Sequence, residues 1–226
     1  MFENASGHFR SVHSALKPKT ALKNEGADGF RRYLSQGEHL FYEADRAVFV
    51  YEVVFGSLRL TRIQQDGRRH VVAFAFPGDI VGLPVDGRHS TECVAVAPVE
   101  VIAHRYDPAA PPEQKPGLHA RVLAAALEEI RALQDHFLML GRRSAAEKVA
   151  AFILWLEHRI GEGAGACRLI RLSMNRADIA DHLGLTPETV SRTITQFRES
   201  RLIALDGAQT MLILDMPRMK SVAEGG

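Results

Sequence analysis

Cysteine, net charge and long apolar runs are all scarce in this chain of 226 residues. The two cysteines, Cys93 and Cys167, are too few for a disulfide framework, and no C-x2-C spacing offers metal ligands. The formal net charge is only +1, so global charge does not announce nucleic acid. Even over residues 168–201, six arginines stand against four acidic residues. No apolar run approaches the length of a membrane span, and the opening MFENASGHFRSVHSALK has no apolar core of a secretory signal. A soluble, cytoplasmic protein is expected. The phosphate-cradling and dinucleotide fingerprints are missing. Ser173, Asp178 and His182 lie near one another, but no G-x-S-x-G elbow accompanies them, so an enzyme is not expected.

What is present is concentrated in LSMNRADIADHLGLTPETVSRTITQFRESRLI, residues 172–203. It reads as two short helices, 175–182 and 187–200, joined by a turn at Leu183, Gly184 and Leu185. Gly184 supplies a backbone state that other residues resist. Thr186 is placed to cap the second helix, and Pro187 sits at its first position, where a missing N–H costs nothing. Ile179, Leu183, Val190, Ile194 and Phe197 are spaced as one apolar seam. Glu188, Ser191, Arg192 and Gln196 share the opposite face, where such side chains can reach base edges in a DNA major groove. This is the helix-turn-helix pattern, with the second helix as reader.

The rest of the chain is read around that unit. Residues 1–30 form a weakly patterned tail, and a short helix is expected at 29–34. Residues 31–117 are strand-rich, with β-rich runs at 39–42, 47–63, 70–76 and 92–105. Asp66-Gly67 signals a hairpin, and the even spacing of turns argues a small barrel or β-roll. Four prolines in residues 108–116 mark a connector rather than a regular element. In residues 118–142, His119, Leu123, Ala126, Ile130, Leu133, Phe137 and Leu140 recur at spacings of four and three, a heptad seam. Glu128, Glu129, Arg131, Asp135 and Arg142 stand off the seam. Such a helix either packs on its own β-domain or pairs in parallel with a second copy. Residues 143–226 hold a further amphipathic helix (144–160), a strand at 168–172, the helix-turn-helix, and strands at 202–205 and 210–214 about Asp206-Gly207. Together these make a winged helix. The fold class expected is α+β.

A β-roll, a long helix and a C-terminal winged helix resemble the Crp/Fnr transcription regulators. The specific piece is NRADIADHLGLTPETVSRTITQF, residues 175–197, whose E-x-x-S-R element resembles the FNR and FixK branch. LGRRSAAEKVAAFIL, residues 140–154, is similar to that branch as well. The resemblance implies a homodimer on promoter DNA in contact with RNA polymerase, and a palindrome of the TTGAT-N4-ATCAA type. It assigns base reading to Glu188, Ser191 and Arg192, with Thr189 and Thr193 at phosphate or packing positions. Pro187 stands where the branch often has valine or isoleucine, so the outermost base preference is expected to differ. By the same resemblance, residues 82–90 are a polymerase contact or a plain solvent loop, and the regulated genes serve low-oxygen respiration or nitrogen metabolism.

Ligands implied by the family fare less well. Matching G-D-x-x-G, residues 78–82, puts Leu83 where the cAMP receptor has a ribose-binding glutamate, and His89-Ser90 at its phosphate-binding arginine-serine pair. Leucine accepts nothing, and a neutral imidazole matches a phosphate poorly. An FNR-type iron–sulfur cluster needs more thiols than two. Haem would need an axial ligand such as His70, His89 or His119. No cofactor is therefore assigned, and a β-roll that senses a cyclic nucleotide or a haem-bound gas is the alternative. Cys93 is expected as a buried small apolar residue. Cys167, beside Arg168, is a possible redox site.

Overall fold

Short strands punctuated by glycine and proline turns pair into two four-stranded antiparallel sheets in the N-terminal half. The computed structural model describes residues 29–64, 67–142, 144–163, 168–207 and 209–225. Most of the expected N-terminal tail, the turn residue Asp66 and the possible redox site Cys167 therefore lie outside the described residues.

One sheet runs β1-β8-β3-β6, from Gly29–Leu34 (β1), Val99–Arg105 (β8), Phe49–Phe55 (β3) and Ile80–Val81 (β6). The other runs β2-β7-β4-β5, from His39–Phe41 (β2), Glu92–Ala95 (β7), Leu58–Ile63 (β4) and Arg69–Ala75 (β5). Leu58, Val53, Cys93, Val101 and Ala103 fill the space between them. Cys93 is fully buried, and burial pushes its thiol pKa far up, so it behaves as a small apolar side chain. The hairpin read from Asp66-Gly67 is present as the antiparallel β4–β5 pair, Ile63 opposite Arg69.

Residues 29–34, expected as a short helix, form a strand instead. All six pair with β8, from Gly29 opposite His104 to Leu34 opposite Val99. Pairing along the edge of β8 satisfies the backbone, and Glu100 in β8 adds side-chain partners. Its carboxylate is buried, and β1 supplies its partners: the Arg31 guanidinium and the Tyr33 hydroxyl, which donates at 3.2 Å. Nothing within GFRRYL reveals a partner 67 residues away. The proline-rich connector contains one 3-10 turn, Pro112–Gln114, and Pro116 opens helix α1, Pro116–Arg142.

Val122 buries one side of α1 and Met139 packs near its far end, yet much of the helix is uncovered. Leu123, Leu127, Ile130, Leu133, Phe137 and Leu138 are all exposed, Phe137 at 77 %. Among the described residues, no helix is long and apolar enough to cross a membrane.

The C-terminal half holds helix α2 (Ala145–Ile160), strand β9 (Arg168–Arg171), helices α3 (Arg176–Leu183) and α4 (Pro187–Glu199), strands β10 (Ile203–Asp206) and β11 (Thr210–Ile213), and helix α5 (Met216–Glu224). The three strands make one antiparallel sheet, β10-β11-β9. Helix α5 carries no signal singled out in the sequence. It packs on α2 and sinks Met219 and Ala223 into the core. The same core extends across the molecule to Val71, Phe74 and Phe76 of the β-roll. The two halves therefore share an apolar cluster, distinct from the one between the two sheets of the roll.

Candidate DNA-reading site

Local chemistry sets the turn between α3 and α4. The Asn175 side chain caps α3 by accepting from Asp178 N–H at 2.8 Å. Gly184 ends α3 in the left-handed region (φ 62°, ψ 40°), where a Cβ is disfavoured, and Leu185 N–H closes back on Ala180 O at 3.0 Å. Thr186 Oγ1 accepts from Thr189 N–H at 3.2 Å, and Pro187 stands at the first helical position of α4. Ile179, Leu183, Val190, Ile194 and Phe197 are all buried, as their spacing requires.

The opposite side of α4 is open. Glu188, Ser191, Arg192, Thr195, Gln196 and Glu199 are exposed, a stripe at intervals of three and four residues. Among the described residues, the side chains of Glu188, Ser191 and Arg192 engage no partner, so their hydrogen-bonding capacity faces outward. Thr189 is half-buried, with its hydroxyl 3.0 Å from that of Thr186. Thr193 is buried and donates to Thr189 O at 2.9 Å, which makes it a packing position. Pro187 is exposed at the mouth of the helix.

Ser173, Asp178 and His182 do not form a catalytic group. Each is engaged with the β-roll instead. Ser57 Oγ donates to Ser173 Oγ at 2.6 Å, the Arg59 and Arg69 guanidiniums pair with Asp178, and His182 Nδ1 lies 3.1 Å from Val71 O. The His182 ring stacks on His136 of α1, centroids 4.3 Å apart, and meets Phe74 and Phe152 at 5.5 Å.

Burial lowers the His182 pKa to about 3, aided by neighbouring His136 and His70 and opposed by the Val71 carbonyl. His136 is lowered for the same first reason, and then by His70 and Lys148. A depressed folded-state pKa means that the unfolded chain binds the proton more readily. Stability is therefore complete above the ordinary histidine value and is lost as pH falls toward about 3. We expect unfolding in urea to show a loss of about 2 kcal/mol between pH 7 and pH 5. His182→Gln, which cannot titrate, should flatten that slope. An unchanged slope in the variant would assign the acid sensitivity to other groups.

The β-roll interior does not fit a cyclic nucleotide. His89 is buried, its ring stacked 3.8 Å from that of Phe41, with Tyr51 beyond. Burial lowers its pKa, so the imidazole is neutral where a phosphate would need a cation. A Cβ on Gly82 would meet Phe41, Tyr51 and His89 at 3.1–3.2 Å, so these side chains fill that corner themselves. Leu83 has no acceptor for a ribose hydroxyl.

Comparison with known proteins agrees with this architecture. Residues 147–222 match the model of a Crp-like helix-turn-helix domain, and residues 31–108 match a cyclic nucleotide-binding domain. The chain is 41 % identical over 196 residues to the nitrogen fixation regulation protein FixK of Bradyrhizobium diazoefficiens, covering 86 % of this chain and 82 % of that one. It is 39 % identical over 189 residues to the transcriptional activatory protein AadR of Rhodopseudomonas palustris, covering 82 % and 78 %. Among solved structures, FixK2 from Bradyrhizobium japonicum superposes with a TM-score of 0.78 at 30 % identity, over 87 % of this chain and 98 % of that one. With a β-roll, a long helix and a winged helix-turn-helix in this order, the chain belongs to the Crp/Fnr family of transcription regulators, in its FixK branch.

Proposed function

We propose that this regulator binds a TTGAT-N4-ATCAA palindrome as a homodimer and activates transcription by contacting RNA polymerase. The observation that carries the reading is the open face of α4, where Glu188, Ser191 and Arg192 are exposed and, among the described residues, without side-chain partners. Glutamate accepts from a cytosine or adenine amino group, arginine donates twice to guanine N7 and O6, and serine is small enough to sit against thymine. Thr189 and Pro187 border these readers at the start of the helix. Pro187 offers a shorter, stiffer apolar surface than valine or isoleucine, so relaxed preference is expected at the outermost base pair.

Two reading helices must lie about one DNA turn apart to engage a palindrome. The uncovered apolar stripe on α1 supports a second copy as the agent that sets this distance. On this reading residues 1–30 are a tail, 31–117 a β-roll, 118–142 the dimerisation helix and 143–226 the DNA-binding domain. The loop at residues 82–90 carries exposed Val85, Asp86 and Gly87, a surface suited to polymerase contact. Relatives named for nitrogen fixation and as activators support control of low-oxygen or nitrogen metabolism. The test is a gel shift at fixed salt on the palindrome and on a scrambled duplex of equal composition. A preference of at least about a thousandfold for the palindrome is expected. Equal affinity for the two duplexes refutes the reading.

A further inference from the structure

The β4–β5 hairpin belongs to the β-roll, yet it grips the first helix of the DNA-reading unit. The Arg69 guanidinium reaches Asp181 Oδ2 through Nε at 2.9 Å and Nη2 at 2.6 Å, and its Nη2 also lies 3.1 Å from Asp178 Oδ1. Arg59 pairs with the same Asp178 oxygen. Ser57 and Ser173 add a hydroxyl pair on one side, and His182 meets the Val71 carbonyl on the other. Asp178, Asp181 and His182 are one turn apart on α3 and present a single face to the hairpin. The reading stripe of α4 lies away from that face and stays exposed. The grip therefore holds the reader without covering it.

We infer that Arg59 and Arg69 are positioning residues for DNA recognition, fixing the angle and separation of the two reading helices although neither touches DNA. This rests on the palindrome reading above and deepens it. Asp178 is 3 % exposed and Arg59 14 %. A buried ion pair adds little net stability, because desolvation offsets the attraction. It penalises every displaced geometry, because moving the helix strands a desolvated carboxylate without its partner. That property suits alignment. The end of α1 joins the same contact through His136 stacked on His182, so the grip ties α3 to the helix proposed to pair the two copies. Once the first reader is on its half-site, the effective concentration of the second depends on how narrowly its orientation is held.

The decisive measurement is spacing selectivity. The full-length protein, Arg69→Asp, Asp181→Arg and the double exchange are titrated with palindromes of three, four and five intervening base pairs, with an isolated half-site, and with a scrambled duplex. Arg69 and Asp181 are partly exposed, so the single variants remain foldable. Each is expected to lose about tenfold in affinity for the four-base-pair spacing and to flatten the preference over three and five, with half-site affinity unchanged. The double exchange restores an ion pair and should restore the preference. A thermal melt run in parallel separates stability from alignment, since lower stability alone leaves the ratio between spacings untouched. Spacing preference that survives in both single variants overturns the inference while leaving palindrome recognition intact. Wild-type protein that fails to distinguish palindrome from scrambled duplex overturns the palindrome reading, and the positioning role falls with it.

Discussion

Arg192→Ala should cost about 2–6 kcal/mol in affinity for the palindrome, by far the largest loss expected from any single reader. A well-formed bidentate contact to guanine is worth about 1–3 kcal/mol of discrimination, and a homodimer makes it twice. The side chain is exposed and, among the described residues, has no hydrogen-bond or ion-pair partner, so its removal should leave the melting temperature within a degree or two. Fluorescence anisotropy with labelled palindrome and scrambled duplex, at one salt concentration, reads the effect directly. Binding to scrambled duplex should barely change, because that affinity comes from phosphate contacts. Arg192→Lys is the informative companion: it keeps the charge, cannot form the two-pronged contact, and should recover little. A variant that keeps the wild-type ratio between the two duplexes would remove Arg192 from the reading set.

Ile130→Asp should abolish dimerisation. Ile130 is 53 % exposed in the middle of the α1 stripe, flanked by Leu133 and Leu127. In a parallel pair each copy of that residue meets its counterpart, so the substitution buries two like charges against apolar neighbours. Sedimentation equilibrium should show the mass falling from twice 25.0 kDa to 25.0 kDa. Loss of the linked second reader then weakens palindrome binding by about 10²–10⁴-fold, while half-site binding persists. Arg131→Asp, one residue off the stripe, is the control and should remain dimeric. An Ile130→Asp protein that stays dimeric at micromolar concentration would place the partner contact elsewhere.

The helix-turn-helix was legible in the sequence because its signals are local. Gly184, Thr186 and Pro187 each act on backbone within a few residues of themselves, and the apolar seam has a helical period. The wing and most of the roll strands announce themselves similarly, through Asp206-Gly207, Asp66-Gly67 and the even spacing of turns. What could not be read depends on distant partners. The strand at residues 29–34 is held by its pairing along β8, with Arg31 and Tyr33 meeting the buried Glu100. The roles of Ser173, Asp178 and His182 appear only when Ser57, Arg59, Arg69 and Val71 are brought against them. In one dimension that trio is three polar side chains with no catalytic motif around them; in three it is one side of an interdomain contact. Helix α5 escaped notice for a related reason, since its nine residues bury Met219 and Ala223 against α2, a segment some seventy residues earlier.

That late helix bears on how the molecule is made. Strands β1 to β8 are complete before any of the C-terminal half has been synthesised, but Val71, Phe74 and Phe76 belong to a core whose other members come from that half, from α2, α3, α4 and α5 with β9 to β11. On a growing chain these side chains stay uncovered until α2 and α3 arrive to pack on them. A nascent regulator is thus a finished roll carrying a sticky flank, exposed to chaperones and to its neighbours on the polysome. The C-terminal core is complete only when α5, last in the chain order of elements, packs Met219 and Ala223 against α2.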